Sequence, residues 1–469
     1  MKQEARPSAK ARRMEPGQAR LVKDIFPPSD MPPRLASGPE GLVAFRGRLY
    51  FAVNLDDGRK ALWKSDGTAA GTVPVKEFPA SPTFTLFSSL RELTVAGSRL
   101  FFFVRDEAHG FELWSSDGTT AGTALLKDIT PGSEDSFLSG LTVVRRGVYF
   151  FRSVPETATA PARTELWKSH GTPAGTVRVR DLGPGSSAFQ AQATLGDTLL
   201  FVVDNPASGA ELWRSDGTEA GTFLVRDIHP GPEGSFPSHL RAVAGRVFFT
   251  ANDAVHGPGV WRTDGTSAGT VRVEVLGAGT SHEGLRLLAA VGPYLYLTTA
   301  DSSDRLLRLY WLNVRVSSPR AAELVATLPN PAAADPSAGP YITTFTVAGG
   351  KLFFAMAIGT AGPAPRDVQL WVMDGGSAGP RRPLILSDEF ESELFSLDHR
   401  ILFSAYEEDS AGLGPWISDG TPTGTRRLQD ISPGGESSYP HSYTKVGSSV
   451  FFVANDGTHG NELWVIPGL

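Results

Sequence analysis

The chain has 469 residues, 41% of them hydrophobic, with 51 Gly and 35 Pro, a composition that suits short strands and tight turns and not helices. A formal net charge of −6 argues against nucleic acid as a partner, because phosphate binding needs a concentrated positive face. Cysteine is absent, which excludes disulfides, thiolate metal sites and a Cys nucleophile, and there is no apolar run of the roughly 18 residues that an integral membrane segment needs.

Residues 1–20 are polar, with six Lys or Arg against two Glu, and are expected to form a disordered tail ahead of a single domain at 21–469. Charges run through this stretch where a signal peptide would have its apolar centre, so a cytoplasmic location stays open. At 19–25 the chain reads ARLVKDI, which matches the end of a unit seen again as TALLKDI at 123–129 and TFLVRDI at 222–228. The second unit is complete: 90–95 alternates into the turn signal Ala96-Gly97, 99–105 is an aromatic strand, 111–116 a third and 123–129 a fourth. The hairpin Asp117-Gly118-Thr119 joins the third strand to the fourth, and Pro131-Gly132 turns the chain into the next unit.

The third strand and its turn are clearest at 211–227, ELWRSDGTEAGTFLVRD, and variants return along the whole chain. All nine Trp are read as the Trp of this motif, spaced 45 to 60 residues apart. The motif decays to LYWLNV around Trp311, and His170 replaces its Asp after Trp167. The last unit supplies three strands and stops, whereas the N-terminus offers a fourth strand with no unit before it. Pairing the two leaves no open sheet edge. An all-β propeller of nine four-stranded blades is therefore expected, or of eight if the unit at Trp311 forms no blade; a monomer is expected.

The quoted motifs resemble the bacterial ELWxxDGT repeat, over residues 21–466, with departures at Trp311 and His170. That resemblance implies a secreted or surface-associated propeller with a binding or scaffold role, and no particular chemistry.

Trp63, Trp114, Trp167, Trp213, Trp261, Trp371, Trp416 and Trp464 are read as apolar bodies packed between blades. Asp66, Asp117, Asp216, Asp264 and Asp419 could offer carboxylates to Ca2+, but a calcium loop needs six to eight converging oxygens. A short hairpin more simply ties its own backbone, so these residues are read as turn formers with no cofactor.

In a radial meander the loop between strands two and three emerges on the same face as the connector to the next blade. Seven of the nine His fall on that face. His229, His239 and His282 lie in neighbouring connectors beside the unit at Trp311 and could form a pH-responsive or metal-binding group. Phe137, Phe189, Phe236 and Tyr439 follow the reversals into the inner strands and could receive sugar rings or peptide side chains, with Glu134, Glu233 and Glu436 nearby. No phosphate loop or HExxH zinc motif occurs. The expected function is non-enzymatic recognition of a glycan or protein at the cell exterior. The alternative is a hydrolase or lyase acting on a sugar polymer or small metabolite at the channel mouth.

Overall fold

The computed structural model describes residues 17–25, 38–54, 59–80, 90–273, 276, 284–315, 322–330, 332–335, 337–359, 368–374, 381–386, 393–406, 412–432 and 434–469. The described strands form nine sheets, each an antiparallel meander of four strands. Blades 1 to 8 span 39–78, 91–127, 138–184, 187–226, 238–273, 286–328, 339–386 and 395–427. Blade 9 takes three strands from 441–467 and its outermost strand from Arg20–Lys23, which pairs antiparallel with Asn461–Pro467. The N-terminal strand thus closes the ring. Gly17 and Ala19, assigned to the tail by sequence, are already engaged: Gly17 N donates to Pro467 O at 2.8 Å and Ala19 N to the Gln429 side chain at 2.8 Å.

Second strands such as Arg99–Asp106 are apolar on both faces because both faces are covered by neighbouring blades. Leu100, Phe102 and Val104 pack towards blade 1, and Phe101 and Phe103 towards blade 3. The buried apolar residues accordingly fall into nine clusters, one at each interface between blades. The eight motif Trp each face the preceding blade, in or against those clusters.

Blade 6 forms, which removes the eight-bladed alternative, but its motif is read one residue off. Tyr310, paired with Leu297 and 7% exposed, takes the place of the motif Trp against blade 5. Trp311 turns to the opposite face of the sheet, because side chains alternate along a strand. It stacks on Tyr294 at 4.7 Å and donates from Nε1 to Glu323 at 3.1 Å.

The SDGTxxGT turns are closed by their own side chains. At 65–72, Asp66 Oδ1 accepts from Thr68 N at 2.9 Å and Thr68 Oγ1 at 2.7 Å. Thr68 Oγ1 accepts from Gly71 N at 3.0 Å, and Thr72 Oγ1 donates to Thr68 O and meets Ser65 Oγ, both at 2.7 Å. Asp117, Asp216, Asp264 and Asp419 repeat the pattern. His170 lacks the carboxylate, yet Thr172 and Thr176 keep the rest of the turn.

Two predictions follow from closure and turn. Val22, 3% exposed between blades 9 and 1, becomes an uncompensated buried charge in Val22→Asp; a loss of about 3 kcal/mol or more is expected on chemical denaturation, with oligomers on size exclusion from the unpaired edge. A Cβ on Gly122 would meet Asp117 Oδ1 at 2.1 Å. Gly122→Ala is expected to cost about 2 kcal/mol alone and clearly less in an Asp117→Ala background, so the double-mutant cycle should be non-additive.

Candidate functional site

The loops between second and third strands and the connectors between blades share one face and pack on each other: Ser136 N donates to Phe111 O at 3.2 Å, and Ser235 N to Ala210 O at 3.0 Å. At Gly110 the close approach demands glycine, since a Cβ there would meet Glu134 O at 2.1 Å. Glu134, Glu233 and Glu436 thus lie with their backbones against the loops and their side chains exposed.

Phe236 is 62% exposed, Phe189 42% and Phe137 37%. They belong to the inner rims of three consecutive blades, 5, 4 and 3. Phe137 and Phe236 hold left-handed backbone, at φ 51° and 48°, which L side chains adopt at a cost. Phe189 is not their repeat equivalent: it lies inside its strand, paired with Val202 where blade 3 has Ser139 opposite Phe151. Tyr439, at φ 44°, is half-buried on blade 9, away from this sector. An open groove of about 700 Å3 runs between blades 3 and 4 over Trp213, Leu224, Leu182, Pro184 and Pro206.

The innermost strands line the central channel. Most carry a β-bulge near the middle, with left-handed residues such as Gly41, Glu92, Gly140, His239 and Ser442. Backbone groups freed there are taken by neighbouring blades. Glu92 accepts from Gly140 N at 3.2 Å and Leu141 N at 2.7 Å, Glu393 from Ser442 N at 2.6 Å, and Thr444 Oγ1 donates to Leu42 O at 3.2 Å.

Blades 5 to 7 solve the same problem with cations. Arg241 of blade 5 donates from Nε and Nη2 to the Leu288 and Leu287 carbonyls of blade 6, and Arg286 of blade 6 donates to Ile342 O of blade 7. Both guanidiniums lie over the ring of Phe345, at 5.3 and 5.7 Å. His239 stands beside them, its Nδ1 3.2 Å from Thr250 Oγ1, and burial together with the two guanidiniums pushes its pKa down to about 4.

Two members of the predicted histidine group lie on different elements. His229 lies on its connector, its N–H donating to Glu211 Oε1 at 2.9 Å, while His239 is on the inner strand; His282 lies outside the described residues. His109, His256 and His459 are loop staples, each 2.7–2.9 Å from the Asp three residues earlier. Among the described residues no three His, Asp or Glu converge to hold a metal ion.

The sequence reading missed the motif glutamate. Glu112 and Glu211 are fully buried and tie the third strand to the connector that leaves the blade. Glu112 Oε1 accepts from Ile129 N at 3.0 Å, Thr130 N at 3.1 Å and the Ser136 hydroxyl; Glu211 accepts from His229 N, and from Ser235 N at 3.1 Å and Oγ at 2.7 Å. Burial pushes the Glu112 carboxyl up to about 7, against the pull of those donors, and raises Glu211 likewise. Glu165 goes the other way: it too is desolvated, but Trp167, Arg178 and Arg152 hold it below the usual range. A signal existed in the sequence, since an acid recurs between apolar strand residues at Glu112, Glu165, Glu211 and Glu462 and needs buried partners there.

No protein-family model and no curated protein sequence matches the chain. Solved structures similar to it include a prolyl endopeptidase (11% identity, 80% of this chain and 55% of that one, TM-score 0.41) and the puromycin hydrolase S511A mutant (17%, 70% and 52%, TM-score 0.37). Another is the β-propeller domain of the Trilobed protease from Pyrococcus furiosus (10%, 84% and 98%, TM-score 0.36). The chain spans little more than half the length of the first two. The strand pairing itself gives the fold: the chain is a nine-bladed β-propeller closed by its N-terminal strand.

Glu112 makes stability pH-dependent with a definite sign. A carboxyl raised from 4.5 unfolded to about 7 folded binds more protons in the native state between those values, so its contribution is full below about 4.5 and lost as pH rises through 7. Glu112→Gln removes the titration. Its stability relative to the parent should rise by about 3 kcal/mol between pH 4.5 and 8, read from urea melts across that window.

Proposed function

We propose that the protein is a non-enzymatic binding propeller that receives a glycan or protein ligand on the connector face, over blades 3 to 5. Phe236 carries this reading: a large ring 62% exposed on left-handed backbone, with Phe189 and Phe137 exposed on the next two blades. Solvent-facing aromatics on a rigid frame supply stacking area at low entropic cost. The groove over Trp213 offers a further apolar surface between blades 3 and 4. The carboxyls that burial raises, Glu112, Glu211 and Glu393, each accept backbone N–H groups within the wall, a structural use that favours binding over acid–base catalysis. The repeat's resemblance to ELWxxDGT proteins supports a place at the cell exterior and membership of that group. The chain acts as a monomer in this reading, its closed ring offering no edge for pairing.

A glycan array and pull-down with the parent protein define the ligand. Phe236→Gly, which suits the left-handed backbone, and Phe189→Ala are each expected to weaken it about tenfold, near 1.4 kcal/mol, while Tyr439→Ala on blade 9 leaves affinity within twofold. Equal losses for all three, or none, would remove blades 3 to 5 as the contact surface.

A further inference from the structure

We infer that the channel wall of blades 5 to 7 is an oxyanion-binding site, in which Arg241 and Arg286, side by side on the face of Phe345, hold the carboxylate, sulfate or phosphate group of a ligand. The location follows from connectivity. Arg241 belongs to blade 5 and Phe345 to blade 7, so the side chain crosses blade 6, and only the concave inner wall gives it that path.

The charge there is uncompensated. Three half-buried arginines elsewhere in the ring have carboxylate partners, Arg105 with Asp135 at 2.7 Å, Arg272 with Asp253 at 3.2 Å and Arg152 with Glu165 at 3.3 Å, while Arg20 and Arg214 donate singly to carbonyls of the next blade and share no ring with a second cation. Among the described residues, Arg241 and Arg286 form no ion pair, and the charges that bear on His239 and Arg241 are guanidiniums. Two cations sharing one ring repel each other in partly desolvated surroundings, where Coulomb terms are stronger than in water. Burial lowers the pKa of both, and Arg286 lowers that of Arg241 further.

The donors left over suit an anion. Arg241 is anchored through Nε, Nη1 and Nη2 to the carbonyls of Leu288, Leu240 and Leu287, which fixes its plane. Arg286 spends one N–H on Ile342 O, and its buried Nε has no partner among the described residues. A guanidinium carries five N–H donors in a rigid fork matched to two oxygens of one oxyanion. Phe345 orients both forks, and a neutral His239 adds no third positive charge. An oxyanion placed between the forks would relieve the repulsion and take the free donors together.

The site is independent of the aromatic rim and is tested without knowing the rim's ligand. Calorimetric titration of the full chain with inorganic sulfate, inorganic phosphate, acetate and a uronate disaccharide, against sodium chloride at matched ionic strength, is compared between the parent, Arg286→Gln and Arg241→Gln. Saturable one-to-one binding of at least one oxyanion, weakened tenfold or more in both variants, supports the site. The free anions and the disaccharide then distinguish a small-anion site from one for an acid group carried on a sugar. Should Arg286→Gln fail to reach the parent's folded circular-dichroism spectrum, Arg241→Gln and Phe345→Leu carry the comparison. No saturable heat with any of the four anions, or equal affinity in folded variants, overturns the inference.

Discussion

Among the described residues, four of the nine interfaces are clasped by a basic side chain laid across the tryptophan of the following blade. Lys23, Lys76, Lys127 and Arg226 lie 5.6, 5.7, 5.6 and 5.8 Å from the rings of Trp63, Trp114, Trp167 and Trp261. Three of them also donate to the closing Thr of the next turn: Lys23 to Thr72 O at 3.0 Å, Lys127 to Thr176 O at 3.3 Å, Arg226 to Thr270 O at 2.7 Å. Each contact joins the outer strand of one blade to the third strand and turn of the next. A cation over an indole contributes about 0.5–2 kcal/mol, and the aliphatic stem covers apolar surface besides. This is why the Trp, the final Thr of SDGTxxGT and the basic residue of LVRD or LLKD recur together: they are three parts of one joint. Lys23 makes the joint into blade 1, so the N-terminal strand supplies the same clasp as any other fourth strand.

The joint also accounts for the irregular step. At the interface of blades 5 and 6 the Trp is replaced by Tyr310, and the fourth strand before it reads VRVE where blade 4 has FLVR. Both partners change together. Trp311, released from the clasp, packs on Tyr294 on the other side of its sheet. Blade 6 still forms because Leu285, Leu287, Leu295, Leu297 and Tyr310 rebuild the apolar interface with Val260 and Val273. Cohesion at this step comes from burial, and the channel wall beside it carries Arg286 and Arg241.

Regular and irregular parts of the molecule thus divide the work. The repeated features, turn, Trp and buried Glu, hold the blades that carry them to themselves and to their neighbours. What differs between blades gathers on the connector rim at blades 3 to 5 and on the inner wall at blades 5 to 7. A closed ring of nine interfaces tolerates such variation because the apolar cluster at each interface is complete without it.

The strand order and the closure were legible in the sequence, because a period near fifty residues, a strand alternation of two, a lone fourth strand at the N-terminus and a three-stranded last unit fit one ring; the count was legible as nine or eight, and the pairing of blade 6 decides it. The Asp turns were legible as local structure for the same reason: their partners lie within eight residues. The place of Tyr310 was not, since LYW offers two aromatics and only the pairing with Leu297 decides which faces blade 5. Nor were the partners of Glu112 legible, since Ile129 and Ser136 come from a connector that folds back over the blade. The exposure of Phe236 and the meeting of Arg241, Arg286 and Phe345 belong wholly to tertiary structure. These three are spread over about a hundred residues of chain and touch because radial packing brings the inner strands of successive blades to one wall, a proximity that no local periodicity encodes.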